Sequence, residues 1–257
     1  MGPLFTLLTD FGAGSGYPAQ MKAVLLRAHP GARLVDLSHE VPAYDVLAGA
    51  LLLEACVPWF APDAIHVAVV DPGVGTARRA LCVVDPEGRR LVAPDNGLLT
   101  SILEAGASAF EITPGQAVPA PRSATFHGRD LFAPAAAYLA AGNAPERLGP
   151  PVTDAVRLPW PRAERTADGL HGETLAADPF GNLVTSIREA DLAGREVGEA
   201  RVAREGVRFV RTFGEGAPGE LVAYMGSGGR VEIAVREGSA AARLGVRGVP
   251  VRLVLER

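Results

Sequence analysis

The order of strand-like and helix-like segments limits the possible folds of this 257-residue chain more than any other feature. Up to about Gly149, short apolar stretches alternate with stretches in which apolar residues recur at helical spacing. Such alternation is typical of a mostly parallel sheet covered by helices, because parallel strands need a long crossover that a helix usually supplies. Beyond about residue 170 only short strand-like pieces separated by turn residues follow, which predicts a small all-β domain.

We therefore predict an α/β N-terminal domain over residues 1–149 and a smaller, barrel-like all-β domain over residues 170–257. Residues 150–169 between them combine prolines with mixed charge, which is typical of a linker. The predicted N-terminal strands are 5–9, 33–37, 65–70, 81–84, 91–93 and 109–112, the helices are 18–28, 46–60, 98–104 and 130–141, and the C-terminal strands are 172–176, 183–187, 207–209, 220–225, 231–235 and 251–255.

Composition and charge exclude several classes of protein. Hydrophobic residues make up 48% of the chain and charged residues 21%, as in ordinary soluble globular proteins. The net charge of -4 and the absence of a Lys/Arg run argue against a nucleic-acid partner. The two cysteines, Cys56 and Cys82, lie in apolar segments and cannot build a thiolate metal site. We see no signal peptide and no apolar run long enough for a bilayer, so we expect a cytoplasmic protein without a membrane partner.

The apolar run at residues 65–70 ends in Asp71-Pro-Gly-Val-Gly-Thr-Ala-Arg78. A strand that ends in a carboxylate and a glycine-rich turn places that carboxylate at the carboxyl edge of a sheet, where α/β proteins bind ligands. His127 precedes the helix predicted from Asp130. An Asp, an Arg and a His that meet at this edge could hold a water molecule and accept its proton. Spacing alone equally allows a turn-stabilising ion pair and an unrelated helix-start histidine.

Other candidate residues also follow predicted strands. Asp10 lies in Thr9-Asp-Phe-Gly12, ahead of a glycine-rich loop that fits neither a P-loop nor a dinucleotide fingerprint. A carboxylate that accepts hydrogen bonds from a ribose diol is the better functional interpretation of Asp10. In the predicted β-domain, Asp178-Pro-Phe-Gly-Asn182 and Gly226-Ser-Gly-Gly-Arg-Val-Glu232 lie at strand borders. Their composition by itself favours ordinary β-turns over a site.

Seven motifs in this chain occur in the order found in one known family: Thr9-Asp-Phe-Gly12, Asp36-Leu-Ser-His-Glu-Val-Pro42, Val69-Val-Asp-Pro-Gly-Val-Gly75, Ala93-Pro-Asp-Asn-Gly-Leu-Leu99, Phe126-His-Gly-Arg-Asp130, Asp178-Pro-Phe-Gly-Asn182 and Glu232-Ile-Ala234. On these motifs, which run essentially from end to end, the chain resembles the SAM hydroxide adenosyltransferases. These enzymes are also called S-adenosyl-L-methionine hydrolases and are related to fluorinase and chlorinase.

The resemblance implies hydrolysis of S-adenosyl-L-methionine to adenosine and L-methionine by a homotrimer. In this family, substrate binds between the N-terminal domain of one subunit and the C-terminal domain of its neighbour, and no metal or cofactor is needed. The family's catalytic triad falls on Asp71, Arg78 and His127, and its ribose-binding aspartate on Asp10. Further substrate contacts fall on Asn182, Ser227, Glu232 and the backbone near Val235, and Asp178, Phe180, Tyr44 and Phe213 are candidates for lining the pocket.

Some positions separate this chain from its halide-using relatives. Those relatives have an aromatic residue at the position of Asp71, whose charge would repel an anion, so hydrolysis is favoured over halide transfer. Gly128 lies at the position of the halide-contacting serine of fluorinase, but it is not decisive because a chlorinase can also have glycine there. Ser15 stands where the family usually has an aspartate, and Gly228 stands where halogenases carry an arginine, both at the methionine end of the pocket. His39 is interpreted as a structural group. A halide adenosyltransferase and a non-catalytic binder of adenosine or S-adenosylmethionine remain the alternatives, and the intact triad argues against the binder.

Overall fold

The computed structural model describes residues 2–256, which form two compact units. The first unit ends at Leu158 and the second begins at Pro159. Each has its own sheet and its own apolar core. No helix among the described residues is long and apolar enough to cross a membrane.

The first unit is built on a six-stranded sheet with the order β2-β1-β3-β5-β4-β6. Its strands are β1 (Leu4–Thr9), β2 (Arg33–Ser38), β3 (Ile65–Val69), β4 (Ala80–Val84), β5 (Arg90–Pro94) and β6 (Ser108–Glu111). The pairs β1–β2, β1–β3 and β3–β5 are parallel, whereas β4 runs antiparallel to both β5 and β6. The antiparallel pair β4–β5 follows from the tight turn at Pro86-Glu-Gly88, since so short a connection joins only antiparallel strands.

Four helices accompany this sheet: α1 (Tyr17–Ala28), α2 (Val46–Cys56), α3 (Thr100–Glu104) and α4 (Ala133–Ala140). Asp45 caps α2 by accepting the N–H of Ala48 at 3.0 Å. The predicted helix 46–60 is too long, because Pro58 cannot continue an α-helix and a 3₁₀ turn, Val57–Trp59, replaces its end. The predicted helix 130–141 begins instead with a π-helical turn, Gly128–Phe132, ahead of α4.

The two central strands of the sheet bring the ligand-binding candidates together. All residues of β3 are buried, and so are those of β1 from Phe5 onward, because these parallel strands have neighbours on both faces. Thr9 at the end of β1 is the register partner of Val69 at the end of β3. The chain segments that follow, with Asp10 and Asp71, therefore leave the same edge of the sheet side by side.

The second unit is a closed barrel, which confirms the predicted architecture. Its strands pair in the order β14-β10-β11-β12-β13-β9-β8, and β8 also pairs with β14, which closes the ring, while β7 adds to β8. Its elements are β7 (Glu164–Thr166), β8 (Gly169–Ala177), β9 (Leu183–Arg188), α5 (Glu189–Leu192), β10 (Val197–Val202), β11 (Glu205–Val210), β12 (Leu221–Met225), β13 (Arg230–Val235), α6 (Ala240–Leu244) and β14 (Pro250–Leu255).

Two strands and two short helices of this unit were not predicted. Strand β7 lies within the predicted linker 150–169. Strand β10 alternates the exposed Glu199 and Arg201 with the buried Ala200 and Val202, a period-two pattern too short to identify a strand by itself. Its partners β11 and β14 impose the extended conformation, which is a tertiary effect. The helices α5 and α6 have only 4 and 5 residues, too few for a helical period to show.

Candidate active site

A cavity of about 550 Å³ opens at the carboxyl edge of the first unit's sheet. Its size falls within the range of small-molecule sites. Its wall combines the ends of β1 and β3 with the start of α1 and the segment that precedes α4. The lining residues are Asp10, Phe11, Tyr17, Gln20, Ala43, Tyr44, Val69, Asp71, Val74, Ser123, Thr125, Phe126, His127, Gly128 and Arg129.

Asp71 and Arg78 form a buried ion pair at this cavity. Arg78 donates from Nε to Asp71 Oδ1 at 3.1 Å and from Nη2 to Asp71 Oδ2 at 2.5 Å. Their side chains are only 3% and 7% exposed. The intervening loop doubles back through successive turns, with Gly75 at a φ of 79°, and so returns Arg78 to the start of the loop. The sequence allowed two interpretations, a turn-stabilising ion pair and part of a triad, and both involve this same contact between Asp71 and Arg78.

His127 is the third member of this group. Arg78 Nη2 lies 3.0 Å from His127 Nδ1. A guanidinium can only donate, so Nδ1 accepts this hydrogen bond and a neutral imidazole carries its proton on Nε2. Burial lowers the pKa of His127, the Arg78 charge lowers it further, and Asp71 and Asp130 oppose the shift. The arrangement favours a neutral histidine that offers an N–H donor.

Asp10 lies beside this group at the end of β1. Its Oδ2 accepts the backbone N–H of Tyr44 at 2.9 Å, which ties the carboxylate to the segment ahead of α2. Tyr44 has a positive φ of 66°, unusual for a residue with a side chain. Its side chain is largely exposed, at 71%, next to the cavity that it helps to line.

His39 supports the glycine-rich loop from outside the cavity. It is buried, with Nδ1 2.8 Å from Thr9 Oγ1 and Nε2 3.0 Å from Asp36 Oδ1. Its carbonyl accepts the N–H of Gly12 at 2.7 Å, and Glu40 accepts the N–H of Ala13. These contacts agree with the structural interpretation of His39.

In the second unit, Asp178 organises the turn between β8 and β9. Its Oδ1 accepts the backbone N–H groups of Phe180 at 2.9 Å and Asn182 at 2.8 Å, and its Oδ2 accepts Asn182 Nδ2 at 2.8 Å. The motif thus forms the Asx-type turn that its composition favours. The same bonds fix the Asn182 amide, and they leave Phe180 at the tip of the turn, 80% exposed.

Glu232 lies near this turn, on β13. It accepts the hydroxyl of its cross-strand partner Tyr224 at 2.7 Å. Burial raises the pKa of Glu232 and the negative charge of Asp178 adds to the rise, whereas the Tyr224 hydrogen bond opposes it. A Cβ on Gly226 would lie 2.1 Å from Glu232 Oε1, so this position must remain glycine for the carboxylate to stay where it is.

The family of the chain follows from comparison with known proteins. Residues 5–149 match the SAM hydroxide adenosyltransferase N-terminal domain, and residues 172–250 match the corresponding C-terminal domain. The chain belongs to the SAM hydroxide adenosyltransferase family. A Thermus thermophilus relative named (R)-S-adenosyl-L-methionine hydrolase is 46% identical over 99% of this chain and 100% of its own length.

Further relatives and a solved structure are similar to this chain over nearly its full length. A Salinispora tropica protein of the same name is 44% identical over 95% of this chain and 94% of its own, and an Actinoplanes fluorinase is 29% identical over 90% of each. A crystal structure of an uncharacterized conserved protein from Thermotoga maritima superposes with a TM-score of 0.87 at 34% identity, covering 97% of this chain and 100% of that one.

The candidate site residues taken from the family resemblance fall into two groups, one in each unit of the chain. The structure brings Asp10, Tyr44 and the triad together around one cavity. In the second unit Asp178, Asn182 and Glu232 form a cluster, and the ring of Phe213 packs 6.3 Å from that of Tyr224. Ser227 lies in the exposed turn between β12 and β13, and Val235 ends β13.

Gly128 is closely packed in the wall of the cavity. A Cβ there would lie 3.1 Å from Met21 Sδ and 3.3 Å from ring atoms of Phe11 and Phe126. A serine would force these side chains to move, so the packing favours glycine.

Several cavity residues were not singled out from the sequence, among them Tyr17, Gln20, Ser123, Thr125 and Arg129. Of these, Arg129 lies within the motif that contains His127 and Thr125 directly precedes it, which was a usable signal, whereas Tyr17 and Gln20 belong to no such motif. Within residues 2–256, no group of His, Cys, Asp and Glu side chains could hold a metal ion.

Proposed function

We propose that this chain hydrolyses (R)-S-adenosyl-L-methionine to adenosine and L-methionine, with Asp71, Arg78 and His127 as the catalytic group. The main support is the buried Asp71–Arg78 pair that contacts His127 in the wall of a cavity of about 550 Å³. Relatives at 43–46% identity, named (R)-S-adenosyl-L-methionine hydrolase, support the substrate and its epimer.

The reaction suits these residue types. The sulfonium makes methionine a neutral leaving group, so no acid is needed to protonate it and no metal or cofactor to activate it. Water attacks C5′, the C5′–S bond breaks with its electron pair going to sulfur, and the water loses a proton. What the protein must supply is an oriented water molecule in line with the breaking bond.

In this proposal Asp71 accepts the proton from water and the Nε2–H of His127 holds the water oxygen in place. Arg78 keeps the Asp71 carboxylate in one orientation through two hydrogen bonds, and its positive charge favours the hydroxide character that develops. The carboxylate at position 71 also repels halide ions, which supports water as the nucleophile.

The remaining candidates are assigned to the substrate. Asp10, oriented by the Tyr44 amide, binds the ribose diol, and Tyr44 lines the pocket. Glu232 pairs with the amino group of the methionine part, since an ammonium ion would offset the repulsion between Glu232 and Asp178. Base and methionine contacts are completed by Asn182, Ser227 and the backbone near Val235, with Asp178, Phe180 and Phe213 lining the pocket.

We also propose a cytoplasmic homotrimer in which each site combines the first unit of one subunit with the second unit of its neighbour. The support is the family resemblance together with the division of the candidates, since the triad and Asp10 lie in one unit and Asn182 and Glu232 in the other. The two cysteines, both free thiols, suit a reducing compartment.

Chromatography of purified protein incubated with S-adenosylmethionine tests the activity, with and without high chloride and beside Asp71→Ala. Adenosine and methionine that form without halide, and no longer form in the variant, would support the hydrolase. A 5′-halo-adenosine would make the protein a halide adenosyltransferase. Intact substrate together with adenosine binding would make it a binding protein and overturn the triad assignment. Separate (R) and (S) epimers test the stereochemistry.

Mixing two inactive variants tests the shared site. Asp71→Ala and Asn182→Ala subunits, unfolded together and refolded, would form mixed trimers in which about a quarter of the sites combine two intact units if sites lie between neighbouring subunits. Recovery of activity on mixing supports this arrangement. Light scattering that shows trimers without any recovery would place each site within one subunit.

A further inference from the structure

The motif Ala93-Pro-Asp-Asn-Gly-Leu-Leu99 has no role in the chemistry described so far. It begins in β5, the sheet neighbour of β3, so Asp95 and Asn96 leave the sheet next to the segment that leads into Asp71. Asp95 is buried, at 6% exposure, and Asn96 is half-buried. Neither residue lines the cavity.

Asn96 holds the peptide that precedes Asp71. Its Nδ2 donates to the carbonyl of Val70 at 2.8 Å, and its Oδ1 accepts the N–H of Leu98 at 3.1 Å. The second bond fixes which amide atom faces Val70, because a backbone N–H requires the oxygen. Pro94, the last residue of β5, has no N–H with which to continue the pairing to β3, and the Asn96 side chain supplies a donor just beyond it.

Asp95 holds the other member of the ion pair through Arg79. Its Oδ2 lies 2.8 Å from Arg79 Nε and 2.7 Å from Arg79 Nη2, and its Oδ1 accepts the N–H of Val156 at 2.8 Å. The backbone N–H of Asp95 donates to the Arg79 carbonyl at 2.9 Å. That carbonyl also accepts Arg78 Nη1 at 3.0 Å, so it fixes the guanidinium on the side away from Asp71.

We propose that Asp95 and Asn96 are positioning residues for hydrolysis: Asn96 fixes the peptide before Asp71 while Asp95, through the Arg79 carbonyl, fixes the guanidinium of Arg78. The inference rests on the proposed function. Two adjacent residues at the end of one strand thus set the relative positions of both members of the ion pair, Asn96 through its side chain and Asp95 through its backbone N–H and its carboxylate on Arg79. A displacement of about 1 Å in a group that orients the attacking water can lower a rate by about 100-fold.

If Asn96 had only a structural role, its removal would lower stability without a specific loss of kcat. Another asparagine in the chain provides a matched control for this comparison. Asn143 Nδ2 donates to the carbonyl of Tyr138 at 2.9 Å, the same type of bond at the far end of α4. In Asn96→Ala we expect kcat to fall by roughly 10- to 100-fold, with the KM for S-adenosylmethionine within about twofold of wild type. Asn143→Ala should keep the wild-type kcat at a comparable loss of thermal stability.

If Asn96→Ala does not fold, Asn96→Asp keeps the acceptor for Leu98 and replaces the donor to Val70 with a carboxylate oxygen. Wild-type kcat in a folded Asn96→Asp or Asn96→Ala would overturn the role of Asn96. So would an equal loss of kcat in Asn143→Ala.

The role of Asp95 can be tested by a measurement that does not depend on enzymatic turnover. The Arg78 charge helps to keep the pKa of His127 low, so a displaced guanidinium should let that pKa rise. We expect Asp95→Asn to raise the His127 pKa measured by NMR titration, with the resonance assigned from His127→Gln. Asp85→Asn, which alters another buried Asp–Arg pair, should leave it unchanged.

An unmoved His127 titration in a folded Asp95→Asn would overturn the role of Asp95. A wild-type enzyme that fails to hydrolyse S-adenosylmethionine would refute the proposed function instead. Because the titration does not depend on turnover, the two failures are distinguishable.

Discussion

Two buried Asp–Arg pairs, each beside a histidine, lie at opposite edges of the same sheet and have different properties. At the carboxyl edge Arg78 bonds Asp71 and contacts His127, and Asp71 and His127 line an open cavity. At the amino edge Arg89 bonds Asp85, and the completely buried His66 lies close enough to feel both charges.

The difference lies in how the remaining hydrogen-bonding groups are used. Arg89 also donates to Glu87 and to the carbonyls of Phe60 and Pro58, and His66 Nδ1 bonds Thr6 Oγ1 at 2.7 Å without access to solvent. These groups serve the fold. At the carboxyl edge, by contrast, a carboxylate and an imidazole border a space that a ligand can enter. Residue types alone therefore do not define a site; the cavity beside them does.

Removal of the aspartate charge at each edge should give the largest difference in activity between the two edges. Asp71→Asn keeps the shape but loses the proton acceptor, so we expect hydrolysis to fall by about 100- to 10,000-fold. The matched Asp85→Asn should lower stability and leave the rate per folded molecule unchanged. Initial rates of adenosine formation, normalised to folded protein by circular dichroism, measure both. Equal losses of rate would show that the amino edge also serves catalysis.

Lowering the pH should reduce the free energy of unfolding because His66 is buried. Burial, aided by the Arg89 charge, lowers the pKa of His66 from 6.5 to about 4. Between these values the unfolded chain binds a proton that the folded chain does not, so stability is complete above pH 6.5 and falls as the pH drops towards 4. The loss is about 3 kcal/mol at most. Urea unfolding at pH 7 and pH 5 should show a smaller difference in His66→Gln; an unchanged difference would assign it to other groups.

At the carboxyl edge, His127→Gln tests whether the histidine donates or accepts. A glutamine can accept from Arg78 and still donate to water, so we expect a loss of no more than about 10-fold, which is what one weakened or misaligned hydrogen bond would cost. The pKa of His127 lies below its ordinary value, so wild-type activity should persist into mildly acidic solution. A loss of 100-fold or more in kcat would instead identify His127 as the base.

The smallest effect is expected for the solvent-exposed ion pair at the amino edge. Glu87 bonds Arg89 at 2.7 Å, but its side chain is 64% exposed. Glu87→Gln should change the free energy of unfolding by less than about 1 kcal/mol, because exposed ion pairs are screened and flexible. Denaturant titration measures this change. A larger loss would mean that the buried Asp85–Arg89 pair depends on its exposed partner.

Much of the fold was predictable because local patterns determine it. The apolar runs that predicted β1 and β3 depend only on neighbouring residues, and the structure confirms both strands. The Asp45 cap of α2 and the turn at Pro86 are local features of the same kind. Strand β10 was missed because its conformation depends on partners elsewhere in the chain. The end of α2 was predicted too late, although Pro58 gave the necessary signal.

By itself the sequence determined the two architectures, the strand-end acids and, through its ordered motifs, the family. The simple pattern of an apolar strand, an acid and an arginine a few residues later occurs at both Asp71 and Asp85, so that pattern alone does not mark a site. Only the tertiary structure decided that β5 pairs with β3 although β4 lies between them in the chain, and so placed Asn96 on the Val70 carbonyl. The physical reason is that strand pairing brings together residues that are distant in sequence. Those contacts decide which polar groups are hydrogen-bonded within the fold and which border a cavity.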